Sequence, residues 1–496
     1  MKIKFSILLC LLFQNILGQT DKNYAEPYRP QFHFTPPAKW MNDPNGLVYF
    51  NGKYHLFYQY FPERTVWGPM HWGHAESTDL LHWKQLPIAL YPDELGWIFS
   101  GSAVIDKDNT AGFGSNAMIA IFTYHNDELW KAGQKNTESQ AIAYSNDEGK
   151  TWTKYKGNPV LNNSGEQDFR DPKVFWHQET SKWIMALAVS DKIKLFSSTN
   201  LKEWQEESVF KPENDTENLG VWECPDLFPL MAEDSQETLW VLIVNHGDKA
   251  PNGGSGTRYF IGNFDGKTFT QSQKALWLDN GTDYYAAVTF YNAPQDKKIV
   301  LGWMSNWQYA TKVPTEVWRS AMTLPRKLGM VKADDGYRLT QKMIPQFATL
   351  TKPEWELEKV NTPFEKKNLN LSQAEVTFSM DQPNDAIITL TNTKGELFTI
   401  TITEDMVVTD RSNSGKTDFD KTFSRKPQVM PLGEKKVTRV QLILDKSSVE
   451  ILLNDGLYSM TNLFFPTEEY SILNIITKDK KPLKNLKIKS VARIWD

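Results

Sequence analysis

Three short segments concentrate side chains that can move protons and form covalent bonds. They are Trp40-Met41-Asn42-Asp43-Pro44-Asn45-Gly46, Phe169-Arg170-Asp171-Pro172 and Trp222-Glu223-Cys224-Pro225-Asp226. Each sets a carboxylate beside Pro, Asn, Arg or aromatic residues. If the fold brings them together, one carboxylate can attack, a second can exchange a proton with the leaving group, and a third can hold hydroxyls. That is the two-carboxylate logic of glycoside hydrolysis with an added orienting group. Asp43 is the candidate nucleophile: Asn42 and Asn45 can donate hydrogen bonds, and Pro44 and Gly46 suit a tight turn. Glu223, between Trp222 and Cys224, has the semi-apolar setting of a proton donor. Asp171 follows Arg170, whose guanidinium favours an ionised carboxylate that holds substrate. Each segment also has a plain structural reading: a strand-capping turn, a salt bridge, a surface turn. Only a scaffold that gathers distant segments decides between them.

The pattern from about residue 40 to 345 supplies such a scaffold. Leu47–Phe50, the Asn51-Gly52 pair and Tyr54–Tyr58 read as strand, type I′ turn and strand. Further strands follow, and helical periodicity is poor throughout. A faint echo runs along this half. Ser77-Thr78-Asp79-Leu80-Leu81-His82-Trp83 resembles the segments 145–152 and 198–204 and, more loosely, 263–269. Copies about 60–70 residues apart suit four-stranded propeller blades. Near residue 345 the pattern changes, and the later strands alternate as in an antiparallel β-sandwich. The expected organisation is a leader over 1–19, a catalytic propeller over 27–344, a linker over 345–355 and a sandwich over 356–496.

Size and composition agree with two all-β domains. A chain of 496 residues exceeds what one core usually supports. The net charge of −5 gives no electrostatic footprint for nucleic acid. Lys2 and Lys4 precede an apolar run from Phe5 to Phe13, which reads as an export signal and is too short for a membrane span. Export to a periplasm or the medium is therefore expected, with surface association through an anchor left open. Once the leader is removed, Cys224 is the only cysteine, so no internal disulfide is expected. His71-Trp72-Gly73-His74 lacks the spacing of a helical zinc motif, and neither a metal nor a cofactor is expected.

The assembled motifs resemble glycoside hydrolase family 32, the β-fructosidases that include levanases, inulinases and invertases. The resemblance runs through Trp40–Pro62, Gly68–Trp83, Phe99-Ser100-Gly101-Ser102, the two later acidic motifs and Trp303–Arg326. It continues to Asp445-Lys446-Ser447-Ser448-Val449-Glu450. It implies a five-bladed β-propeller followed by a C-terminal β-sandwich. It also implies Asp43 as nucleophile, Glu223 as acid/base and Asp171 as transition-state stabiliser. Asn42, Gln59, Trp67, Ser102 and Arg170 match the positions that line a terminal-fructose pocket, and Trp303 is counted with them. The implied substrate is a fructan, a fructosyl-oligosaccharide or sucrose, cleaved from the end by a monomer or homodimer. Endo-cleavage, fructosyl transfer and fructan binding without turnover are the alternatives.

Overall fold

The computed structural model describes residues 24–212, 219–381, 385–433 and 435–495, so the expected leader, with Cys10, lies outside the described residues. Among these residues the chain is almost all strand, with one short α-helix, Asp127–Lys131. Five antiparallel sheets follow one another as blades I–V. Their inner strands are Lys39–Phe50, Trp97–Asp106, Phe169–His177, Trp222–Met231 and Tyr285–Thr289. Each inner strand packs against the next, and the fifth meets the first. The ring is closed by backbone pairing. Lys39 and Trp40 run parallel to Trp318 and Arg319, and Tyr291 exchanges hydrogen bonds with Leu47 and Tyr49 at 2.9 Å. Closure protects sheet edges that would otherwise template aggregation.

The cores lie between blades, so a strand in mid-blade is covered on both faces. Ala117–His125 is buried along its whole length and reads as a continuous apolar run. Trp72 and Phe57 of blade I meet Phe122 and Ile98 of blade II, and Phe175 and Phe210 of blade III meet Trp222 and Phe260 of blade IV. Burying one such side chain contributes roughly 1.5–3 kcal/mol. The repeated motif marks one place in the blades, the turn between third and fourth strands. Trp83, Trp152 and Trp204 each donate their indole N–H to a carbonyl three residues back, at 3.1 Å in all three. In the expected hairpin turn, Asn51 and Gly52 have φ of 47° and 84°, as type I′ requires.

The C-terminal unit consists of two six-stranded sheets around their own apolar core. Residues 351–355, expected in a linker, instead begin the strand Thr351–Val360, which pairs with Leu483–Val491. Pro353 made this stretch read as a seam. The strand lies at the sheet's edge, where a missing N–H is tolerated.

A buried polar seam joins the two units. His33 donates or accepts at 2.7 Å with Asp445 and 2.8 Å with Glu450. Glu450 also takes the Arg326 guanidinium, which reaches Asp279 at 3.1 Å. A second knot pairs Arg411 of the sandwich with Asp283 of the propeller at 2.7 Å. Burial alone would lower His33, but its two carboxylate partners outweigh that and push it up to about 9.

Candidate active site

All three acidic motifs lie on inner strands, at the same end of the ring. An open cavity of about 410 Å³ is lined there by Asn42, Asp43, Gln59, Trp67, Asp171 and Glu223, among others. The local reason is shared by every blade. Each inner strand loses register with its neighbour at its site residue: between Met41 and Pro44, Phe99 and Gly101, Arg170 and Lys173, Glu223 and Asp226, and Tyr285 and Val288. Such bulges re-aim a side chain out of the plane of pairing. Pro172 and Pro225 fall inside two of them, where no ladder hydrogen bond is lost, and Pro44 closes the first bulge opposite Tyr58. Asp171, Cys224 and Ala286 take φ of 63°, 43° and 51°, a left-handed geometry that persists only when the surroundings impose it.

Asp43 is held from two sides. Asn42 Nδ2 donates to Oδ1 at 3.0 Å and Ser100 Oγ donates to Oδ2 at 2.9 Å. The Asn42 amide is itself fixed by the Trp40 indole at 2.7 Å. Asp171 Oδ2 accepts the Cys224 backbone N–H at 2.9 Å. The Cys224 sulfur lies 3.6 Å from an oxygen of Asp43 and 3.6 Å from one of Asp171, so these two oxygens are no more than twice that distance apart. Burial, then the surrounding carboxylates, push the Cys224 thiol far up, so it stays a neutral donor.

Glu223 receives Arg170 Nη2 at 3.0 Å and Nε at 3.2 Å on one oxygen and the Tyr285 hydroxyl on the other. Burial and the charge of Glu223 push the Tyr285 phenol far up, which keeps it a donor. Arg170 continues to Asp168 at 2.7 Å and Glu138 at 3.2 Å. Burial would raise the Glu138 carboxyl, but Arg170 and His125 hold it below the usual range. Burial and the Glu223 charge push Asp43 up, and burial pushes Asp171 up to about 7 against the opposing pull of Arg170.

Several expectations need correction. Arg170 does not pair with Asp171. Adjacent strand residues face opposite ways, and the guanidinium goes to Glu223, Glu138 and Asp168. The Arg170 charge still pulls Asp171 towards the ionised form, but without a direct ion pair burial outweighs it. Ser102 does not line the open cavity. Its hydroxyl donates to the Pro172 carbonyl and accepts from the Val174 N–H, tying blade II to blade III, and Ser100 takes its place beside Asp43. Trp303 is fully buried behind the site, packed against Trp40, Tyr285 and Trp307, and Trp307 is the ring that reaches the cavity.

Asn42, Gln59 and Trp67 do line the cavity. Gln59 Nε2 has no partner among the described residues, which leaves a donor for a ligand. Asp226 of the third motif is turned away and pairs with Lys173 at 3.1 Å. Glu138, Asp168 and His125 carried no signal in the sequence, since each sits outside any quoted motif. Tyr285 is one aromatic among many in the sequence, with no motif to mark it.

Residues 33–343 match the profile of the glycosyl hydrolases family 32 N-terminal domain, and residues 347–490 match that of the family's C-terminal part. The chain is 41% identical to a levanase of Bacillus subtilis, over 99% of this chain and 74% of that one. It is 37% identical to an extracellular exo-inulinase of Aspergillus niger, over 90% and 91% of the two chains. The crystal structure of an exo-inulinase from Aspergillus awamori superposes with a TM-score of 0.84 at 33% identity, covering 95% of this chain and all of that one. With three carboxylates gathered at the mouth of a propeller ring and both domain profiles matched in order, the chain is a glycoside hydrolase and belongs to glycosyl hydrolase family 32.

Proposed function

We propose that the protein is an exo-acting, retaining β-fructosidase that removes terminal β-D-fructofuranosyl units from levan, inulin or sucrose. The observation that carries this reading is the convergence of Asp43, Asp171 and Glu223 at the bottom of one open cavity over tightly packed inner strands. A cavity with Asp171 buried while Trp67 and Trp130 on the same lining are exposed suits the end of a chain better than its middle. Relatives that are levanases and exo-inulinases supply the sugar.

In the first step an Asp43 oxygen bonds to the anomeric C2 as the C2–O glycosidic bond breaks, and Glu223 gives its proton to the departing oxygen. Glu223, now ionised, is stabilised by Arg170 and Tyr285. It then takes a proton from water, whose oxygen bonds to C2 and releases Asp43. Retention follows from two displacements at one carbon. Ser100, Asn42 and the Cys224 thiol hold Asp43 in place throughout. Asp171 holds fructosyl hydroxyls, as acceptor when ionised and as donor when protonated. Residues 27–344 would form the catalytic unit, and the sandwich would buttress it.

Early products separate the alternatives. Free fructose from levan, inulin or sucrose is expected from the first minutes, with the β-anomer appearing first by NMR. Long oligosaccharides at that stage would establish endo-cleavage instead. Asp43→Asn should lose more than about 10³-fold in kcat with its fold intact, as removal of a nucleophile does. An active Asp43→Asn protein would overturn the assignment. Export is proposed as well. It predicts that the secreted protein begins near residue 20 when its N-terminus is sequenced.

A further inference from the structure

One wall of the cavity serves none of these roles. The second and third strands of blade II, Ala117–His125 and Glu138–Ser145, are joined by a loop that carries the helix Asp127–Lys131. Asn126 caps that helix by accepting the Leu129 N–H at 3.0 Å. Trp130 stands on it, 59% exposed, and lines the cavity. At the foot of the loop lies Glu138, only 4% exposed. Its Oε1 takes Arg170, whereas its Oε2 has no hydrogen-bond partner among the described residues. A buried carboxylate oxygen without a partner is costly, and the Glu138 side chain lines the cavity at this point. Between the two stands His125, whose ring lies 4.3 Å from Phe99 at 6° and 6.4 Å from Trp130.

The order of these groups gives the wall a direction. One guanidinium bridges Glu223 and Glu138, so the wall starts where the leaving oxygen is protonated and runs outward to the rim. The sugar on that oxygen must lie on this side, because Asp43 attacks C2 from the other. Resting on the β-fructosidase reading, we infer that this wall of blade II binds the leaving saccharide. The Glu138 carboxylate accepts a hydroxyl hydrogen bond from the first leaving sugar, and the Trp130 ring covers the C–H face of the one beyond it. Aromatic faces suit that role because they cover apolar surface at little entropic cost. The loop therefore favours fructosyl chains over short aglycones.

The test compares kcat/KM for a fructosyl trisaccharide, β-2,1- or β-2,6-linked, with that for methyl β-D-fructofuranoside. Trp130→Ala should lower the trisaccharide-to-methyl ratio about tenfold, through KM, and Trp130→Phe should restore most of it. Trp130 is exposed, so truncation leaves the core untouched, and circular dichroism checks the fold. Glu138→Gln should lower the same ratio. A Trp130→Ala ratio within twofold of wild type, or an equal loss on both substrates, overturns the assignment of this wall. A wild-type protein that hydrolyses neither substrate overturns the β-fructosidase reading on which it rests, a different failure.

Discussion

Asp43 and Asp171 both approach the Cys224 sulfur, and neither forms an ion pair among the described residues. The site therefore holds more negative charge than its immediate cations offset. Asp171 bears the consequence, with a carboxyl pushed up to about 7 mainly by burial. An acid whose pKa is higher folded than unfolded costs stability as pH rises from the unfolded value towards the folded one. Asn mimics the protonated form, so Asp171→Asn should match wild type in stability near pH 4. It should exceed wild type by a few kcal/mol above pH 7, an order of magnitude set by about three pKa units. Thermal melts at pH 4, 6 and 8 check this, and a constant difference would refute it. The same substitution should abolish turnover, because function here is held against stability. At this scale the sequence was legible in residue type and less so in pairing. An Asp-Pro or Glu-Cys-Pro segment marks a special backbone, but Arg170 sits beside Asp171 in the chain and against Glu223 in space.

The five inner-strand bulges explain which site residues a strand pattern can locate. Ser100 and Ser102 share one face under simple alternation, yet the register shift between Phe99 and Gly101 sends only Ser100 to Asp43. No propensity in Phe-Ser-Gly-Ser distinguishes the two. Trp303 and Trp307 differ in the same way: the first lies within the buried strand Ile299–Met304 and the second begins the turn that reaches the cavity. Gly101 has its own part in the blade II bulge. A Cβ there would lie 2.0 Å from the Ile121 carbonyl oxygen, a backbone atom that cannot rotate aside. Gly101→Ala should therefore cost roughly 1–3 kcal/mol in stability, as overpacking does. It should also lower kcat by displacing Ser100. Denaturant unfolding and steady-state kinetics report the two effects, and a variant with wild-type values for both would show that the bulge tolerates spreading.

Across the whole molecule, the polar seam welds propeller to sandwich. His33, before the first blade, pairs with Asp445 and Glu450 near the other end of the chain. With its pKa raised to about 9, its contribution is complete below pH 6.5 and disappears as pH climbs through 9. That amounts to about 3 kcal/mol at the conversion of 1.36 kcal/mol per unit. Wild-type melting temperature should fall between pH 7 and 9.5. His33→Gln should melt lower at pH 7 and lack that step, and an unchanged step would assign it to other groups. The blades and the sandwich were legible because hairpin turns and strand composition are local. The seam was not, since His33, Arg326 and Glu450 are remote in sequence and nothing in their segments says that they meet.

The parallel pairing of Lys39 and Trp40 with Trp318 and Arg319 has a consequence during synthesis. The strand bearing Asp43 is among the first to be made, yet its parallel partner at Trp318 and Arg319 arrives some 280 residues later. A nascent chain that has already emitted all three carboxylates still has an open ring. His33 then waits for Asp445 before the unit can lock. Activity is thus deferred until translation is nearly finished. A chain that ends before Trp318 leaves the Lys39 and Trp40 edge without its partner.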